Sequence, residues 1–319
     1  MSGKARADMK VVVLAGGISD EREISTASGR NVVAALQAAG YGDVDMLDPA
    51  SDGFIGALMD GGYDVAFIAL HGEGGEDGTI QSVLTYCKIP YTASGVVASA
   101  CAADKDVSKA LYERAGIPIA RGRVVERGEE VDADEVVREL GDQLFVKPAI
   151  NGSSYGVSAV HGAAELPRAI EVALEHSDKA LIEERLVGTE ITVGVFDAED
   201  GTRALPVVEI RPQEGSEFYD LEVKYIDPAL VHRIPAEIPE ADYARAQELA
   251  VRAHEALGCS GFSRNDFIVT DRGPVILETN TIPGMTDTSL YPDEVRHAGM
   301  DFPDVCARLI DLAFERAGA

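Results

Sequence analysis

The chain has no tryptophan and only four cysteines in 319 residues. Cys87, Cys101, Cys259 and Cys306 form no CxxC pair, and no histidine is spaced to complete a zinc site with them. This composition reads as a reduced, cytoplasmic chain without a disulfide framework. No apolar run approaches the length of about eighteen residues that a membrane helix needs, and MSGKARADMK has no apolar core of a signal peptide. Positive charge is also scarce: 28 Lys and Arg against 55 Asp and Glu leave a net charge of −27. Nucleic acid and anionic membranes are therefore poor partners, whereas a small anionic substrate stays open because local cation placement outweighs the total. Two nucleotide signatures are absent. AGGISDE rather than GxGxxG follows the first apolar run, which argues against a dinucleotide-dependent oxidoreductase, and GxxxxGK[ST] occurs nowhere.

What is present alternates between short β-branched runs and amphipathic stretches, the pattern of an α/β fold. At roughly 150 residues per domain the length suggests two domains, or three small ones. Lys10–Ala15 reads as a buried parallel strand. Asp20 with Glu23 reads as a capping box opening a helix to about Ala39, whose apolar face is Ile24, Ala27, Val33 and Leu36, with Gly40 ending it. Val44–Leu47 and Asp64–Leu70 continue a doubly wound unit over the first hundred residues. Helix Asp104–Ala115, strand Leu144–Pro148, the loop NGSSYG and strand Ala180–Leu186 form a second region. Beyond Gly188 come longer antiparallel strands, EITVGVF, ALPVVEIR, GFSRNDFIVT and GPVILETN, with helices at about 240–257 and 302–317. The patternless stretch from Arg211 to Pro239 reads as a functional lid.

Gly261–Asn280 carries the densest chemistry. A hairpin centred on Arg272 places Asp266 opposite Glu278, and period-2 alternation adds Asn280 and Arg264 to that face. Hard oxygen donors so placed suit Mg²⁺ shared with substrate phosphates; a solvated face with a cross-strand Arg–carboxylate pair is the alternative. Lys147 ends the run LFVK before Gly152, Ser153, Ser154 and Gly156, where backbone N–H groups can cradle phosphate, although a structural turn has the same composition. HGEGGEDG follows the run DVAFIAL at the strand end where α/β sheets bind ligands, as a binding loop or a plain acidic turn. His71-x-Glu73 lacks the PCxxC of a zinc deaminase. Lys105 and Lys224, taken alone, read as surface lysines.

Together, LAGGISDEREIS, ALHGEGGEDGTIQ, ADKDVSK, VKPAINGSSYGVS, LIEERLVGTEIT, FYDLEVKY, SRNDF and ETNTIPGMTDTSL resemble the D-alanine–D-alanine ligases of the ATP-grasp superfamily. They stand in the family's order from about residue 11 to the C-terminus. The resemblance implies an ATP-grasp fold: an N-terminal doubly wound parallel-sheet domain (1–102) and two α+β domains (103–187 and 188–319) clamping ATP. It implies that Lys105 and Lys147 contact phosphates or adenine and that Glu183, Glu184 and Leu186 form the hinge strand reading adenine. Glu190 binds ribose, and Lys224 reaches the γ-phosphate from a lid around Phe218–Tyr225. Asp266, Glu278 and Asn280 match the magnesium ligands of the family, with two ions expected and Mn²⁺ as a substitute. Three of only eight lysines fall on these nucleotide positions.

By the same resemblance Glu21 takes the ammonium of the first D-alanine with His71 nearby, and Ser153 and Tyr225 link to Glu21 in a network closing the lid. Arg264 and the Gly284 N–H stabilise the oxyanion, and Ser289 holds the second carboxylate. The implied reaction joins two D-alanines through D-alanyl phosphate to give D-alanyl-D-alanine, ADP and phosphate for peptidoglycan precursors, in a cytoplasmic homodimer. Departures from the family pattern are Ile282, Asp287-Thr288 and Glu184. The alternatives are D-alanine–D-serine ligation, D-alanine–D-lactate ligation, against which Tyr225 argues, and a non-catalytic ATP-binding regulatory module. The last would have lost one of Arg264, Asp266, Glu278 or Asn280, and all four are present.

Overall fold

Val11, Val12, Val13 and Leu14 are wholly buried, so the first strand is covered on both faces, as a parallel strand must be. In the computed structural model, which describes residues 4–150, 156–211 and 232–318, this is β1 (Lys10–Leu14). It pairs in parallel with β2 (Asp43–Leu47) and β3 (Val65–Ile68) in the order β2-β1-β3. Helices α1 (Arg22–Ala38), α2 (Phe54–Asp60), α3 (Thr79–Cys87) and α4 (Val96–Ala103) follow these strands. The expected capping box at Asp20 and Glu23 does not form: Glu21 is the N-cap residue, and no side chain caps the helix. Gly40 ends α1 as expected, with φ +95° and the Tyr41 N–H bonded to the Leu36 carbonyl. The buried face of α1 is rotated from the apolar stripe: Ala27 is exposed, and Ser25, Ser28, Gly29, Val32, Ala35 and Leu36 face inward. The serines are tolerated because each is hydrogen-bonded, Ser25 Oγ donating to the Ala69 carbonyl at 2.8 Å.

Helix α5 (Lys105–Arg114) is capped by Asp104, whose carboxylate accepts from the N–H groups of Asp106 and Val107. Next comes a four-stranded antiparallel sheet, ordered β4 (Gly122–Glu126), β7 (Lys179–Glu184), β5 (Gln143–Pro148), β6 (Ser158–His161). On one face Leu144, Val146, Ala180 and Ile182 pack under α6 (Ala133–Leu140) and α7 (Leu166–His176). Period-2 alternation sends Lys147 and Glu183 to the other.

The third sheet runs β11 (His232–Arg233), β10 (Val208–Ile210), β8 (Thr189–Ala198), β12 (Phe262–Thr270), β13 (Gly273–Asn280), with β9 (Gly201–Ala204) also on β8. The expected single strand ALPVVEIR is divided into β9 and β10: Pro206 has no N–H to give, and the Val207 N–H bonds the Tyr243 hydroxyl instead of β8. Ile191, Val193, Val195, Phe267 and Ile276 pack against α8 (Glu240–Leu257) together with Tyr112 of α5. After α9 (Leu290–His297), α10 (Phe302–Ala317) returns to the first sheet, where Leu309, Ile310 and Phe314 join the core of β1 and β3. Among the described residues no helix is long and apolar enough to cross a membrane, and all four cysteines are free. The lid stretch falls largely on residues outside those described.

Where β8 meets α8, the Asp197 carboxylate accepts from the Gly261 N–H at 2.6 Å and the Thr202 hydroxyl at 2.7 Å, with His254 Nε2 at 3.5 Å. Burial opposes the charge of Asp197, but His254, Thr202 and Gly261 together lower its pKa to about 2. An unfolded Asp titrates near about 4, so this stabilisation is complete above that value and is lost as pH falls toward about 2. The expected result is an acid limb that Asp197→Asn flattens between those two values, measured by urea midpoints across the range; parallel limbs would refute it.

Candidate active site

The turn of the β12–β13 hairpin is tighter than a centre on Arg272 implies. Thr270 pairs with Gly273 across the two residues Asp271-Arg272, and in that register Asp266 would oppose Leu277. A β-bulge shifts the ladder between Asp266 and Phe267, so that Asp266 opposes Glu278 and Arg264 opposes Asn280. The expected pairing is therefore present, and an inserted residue rather than the turn produces it.

On that face Arg264 forks onto Asp266, Nε to Oδ1 at 3.0 Å and Nη2 to Oδ2 at 2.8 Å, and Thr192 Oγ1 also donates to Asp266. The Arg–carboxylate pair thus lies along one strand, not across two. Glu278 meets Lys105 of α5, Nζ to Oε2 at 3.0 Å. Asn280 Oδ1 accepts from the Ile282 N–H at 2.9 Å, which orients its amide. Among the described residues no group of three His, Cys, Asp or Glu converges as a ready-made metal cage; the donors are two carboxylates and an amide. Beneath Arg264, the buried Glu294 fills the space left by the missing side chain of Gly194 and accepts its N–H at 2.6 Å. Burial pushes the Glu294 carboxyl up to about 8.

The opposite wall is the central sheet. Lys147 Nζ stands 2.6 Å from Glu183 Oε2, while Lys109 of α5 meets Oε1. Glu183 is 3 % exposed and faces Gly122, where a Cβ would lie 3.1 Å from its Cγ. Burial works against the Glu183 charge, and the two lysines outweigh it and lower its pKa. Glu184, on the other side of the strand, pairs with Arg121 and with Arg272 of the hairpin turn at 2.9 Å, fastening β7 to the third sheet. Leu186 lies two residues beyond β7, and Glu190 stands on β8 opposite Ile268. The Lys105 N–H bonds the Ala149 carbonyl at 2.8 Å, holding α5 against the end of β5.

The strand ends of the first sheet supply the third wall. Gly72, at φ +68°, admits the Glu21 carboxylate, whose Oε2 lies 3.0 Å from where a Cβ would be. The His71 ring bonds Ser28 Oγ through Nε2 at 3.0 Å and the Ile282 carbonyl through Nδ1 at 3.1 Å. A carbonyl only accepts, so Nδ1 carries the proton there. Glu76 lies 3.6 Å from Nδ1; burial raises its pKa against the pull of His71, and the Glu21 charge adds to the rise. Segment 281–286 is laced to α1 by the Met285 N–H to Ser28 Oγ at 3.1 Å and Asn31 Nδ2 to the Met285 carbonyl at 2.6 Å. Gly284 leaves the space filled by Ser289 Oγ, 2.8 Å from a Cβ there, and that hydroxyl accepts from the Thr286 N–H. The Ile282 side chain is fully buried.

Contacts therefore run unbroken from Lys147 and Glu183 through α5 to Glu278, and from Asn280 through Ile282 to His71. Ser153, Phe218, Lys224 and Tyr225 lie outside the described residues. Sequence reasoning missed Lys109, although its place one turn after Lys105 puts both on one helix face. It also missed Ser28 and Asn31, which stand on a helix read for its apolar positions, and Glu294, for which the sequence carries no signal.

The family model for the D-ala D-ala ligase C-terminus matches residues 111–311, and that for the N-terminus matches residues 54–94. The D-alanine–D-alanine ligase of Acidiphilium cryptum is 46% identical over 307 residues, 95% of this chain and 98% of that protein. The one from Syntrophobacter fumaroxidans is 45% identical, covering 96% and 98%. The crystal structure of the Bacillus anthracis D-alanine–D-alanine ligase superposes with a TM-score of 0.83 at 31% identity, over 97% of this chain and 99% of that one. Its complex with ATP gives 0.81 at 28% identity. With coverage this complete, three sheets facing one cleft are an ATP-grasp fold, and the chain belongs to the D-alanine–D-alanine ligase family.

Proposed function

We propose that the chain joins two D-alanines at the expense of ATP, giving D-alanyl-D-alanine, ADP and phosphate for peptidoglycan precursors. The observation that carries this is the single face holding Arg264, Asp266, Glu278 and Asn280, with Lys105 across it and Glu21 and His71 at its end. In this reading the units 1–102, 103–187 and 188–319 close on the nucleotide. Glu183, Glu184 and Leu186 read adenine, Glu190 takes ribose, and Lys105, Lys147 and Lys224 take phosphates beneath a lid carrying Phe218.

Glu21 binds the ammonium of the first D-alanine, with His71 holding segment 281–286 beside it. That substrate's carboxylate attacks the γ-phosphorus, and ADP leaves. The amine of the second D-alanine, its carboxylate held by Ser289, then attacks the acyl carbon; the nitrogen gives up a proton and the adduct expels phosphate to leave the amide. Arg264 and the Gly284 N–H receive the charge developing on the acyl oxygen, and Ser153, Tyr225 and Glu21 keep the lid shut so that water does not intercept the acyl phosphate.

Asp266, Glu278 and Asn280 offer hard oxygens, and each carboxylate already faces a cation, so the site is built to hold positive charge. They fit two magnesium ions, or manganese in their place, which would neutralise the phosphate charge when bound. By family membership we place the enzyme in the cytoplasm as a homodimer.

The test is phosphate release from ATP with D-alanine, D-serine or D-lactate, with products identified by mass. Turnover with D-alanine supports the reading; absence of turnover from folded protein that binds ATP overturns it. Deleting Leu277 is expected to leave a regular ladder in which Glu278 still opposes Asp266 and Asn280 still opposes Arg264, so turnover should persist in a chain whose circular dichroism is retained. Loss of turnover from that folded variant would refute this and give the bulge a role of its own.

A further inference from the structure

Lys109 lies outside the ligand roles above, yet it is one of the most buried charges of the molecule, 6 % exposed. It sits on α5, one turn after Lys105, and reaches Glu183 across the joint between the third sheet's helical layer and the central sheet. The carboxylate divides its oxygens: Oε2 belongs to Lys147 and Oε1 to Lys109. Two ammonium groups on one carboxylate leave one positive charge in excess, and burial together with Lys147 and Lys105 works against the ammonium of Lys109. Such crowding is costly unless one of the cations has another anion to meet.

We propose that Lys109 is a positioning residue, the cation that keeps Glu183 compensated while Lys147 turns to the phosphates of the nucleotide. The inference rests on the reading of Lys147 as a phosphate ligand. With one lysine, a buried carboxylate would hold Lys147 back, because releasing it would strand a charge out of water. With two, Lys147 leaves a neutral Lys109–Glu183 pair behind. The geometry suits this: Lys147 is the last residue but one of β5, near the strand's end, whereas Lys109 is fixed on a helix whose Tyr112 is locked in the core of the third sheet.

The experiment compares binding of ATP and of adenosine, which has no phosphate, by calorimetry on full-length protein. Lys109→Met is expected to weaken ATP by about tenfold or more and leave adenosine unchanged, with Lys109→Arg close to the parent. Equal weakening of both ligands would mean a merely structural role and overturn the proposal. So would parental ATP affinity in Lys109→Met beside a Lys147→Met variant that has lost it. Should Lys147→Met itself bind ATP normally, the reading of the phosphate site fails first. If Lys109→Met does not fold, the double variant K109M/E183Q, which strands no buried charge, carries the test. ATP affinity within about threefold of E183Q alone supports the proposal, and a further tenfold loss overturns it.

Discussion

Arg264→Ala is expected to lower kcat by about 10²–10³-fold while changing the KM for ATP little, the magnitude seen when one oxyanion donor is removed. The reason lies in how the guanidinium is held. Its Nε and Nη2 both lie on Asp266, so the side chain is fixed before substrate arrives and no ordering is left for the transition state. Glu294 fills the gap at Gly194, the residue opposite Arg264 on the neighbouring strand. Arg264→Lys keeps the charge and loses the fork, so its activity should fall between the two. Coupled measurement of ADP release decides the matter, and an alanine variant within about threefold of the parent would remove Arg264 from the chemistry.

The second large effect is on stability. Glu183→Ala leaves Lys109, and less completely Lys147, with no carboxylate in a site closed to water. Breaking a buried pair by removing one partner costs about 3–5 kcal/mol. The penalty should depend on pH. Burial already lowers the Lys109 pKa, and without Glu183 it falls further, so between that value and the lysine's ordinary one the unfolded chain binds more protons than the folded one. Stability of the variant therefore recovers as pH rises through that window, with the deficit largest on the acid side. Urea unfolding of Glu183→Ala and the parent across neutral to alkaline pH measures it; a deficit that stays constant with pH would show that the charge of Lys109 is not its source. Glu183→Gln, which keeps the shape, should show the same slope.

The regular elements were legible because period and punctuation agreed. The helices 240–257 and 302–317 and the strand at Lys10 coincide with runs whose apolar spacing has one solution. The errors fall where a polar group or a missing donor overrides pattern: Ser25 and Ser28 occupy buried positions of α1 because His71, Ala69 and Met285 bond them. Pro206 interrupts a strand that hydropathy alone makes continuous. In the cleft, the carboxylates, the asparagine and Arg264 could be grouped from alternation alone. Lys109 could not, because its significance depends on a carboxylate 74 positions away on another sheet.

The bulge in the β12–β13 hairpin works as an expansion joint for this site. The arm from Phe267 to Thr270 is one residue shorter than the arm from Gly273 to Leu277, and the bulge absorbs the difference. What matters to the donors is thus that Asp266 stays opposite Glu278, not how many residues lie between. Evening the arms by one residue leaves that pair in place. A length change in the longer arm should therefore be tolerated where the bulge takes it up, and homologues with a three-residue turn and a regular ladder would carry the same site.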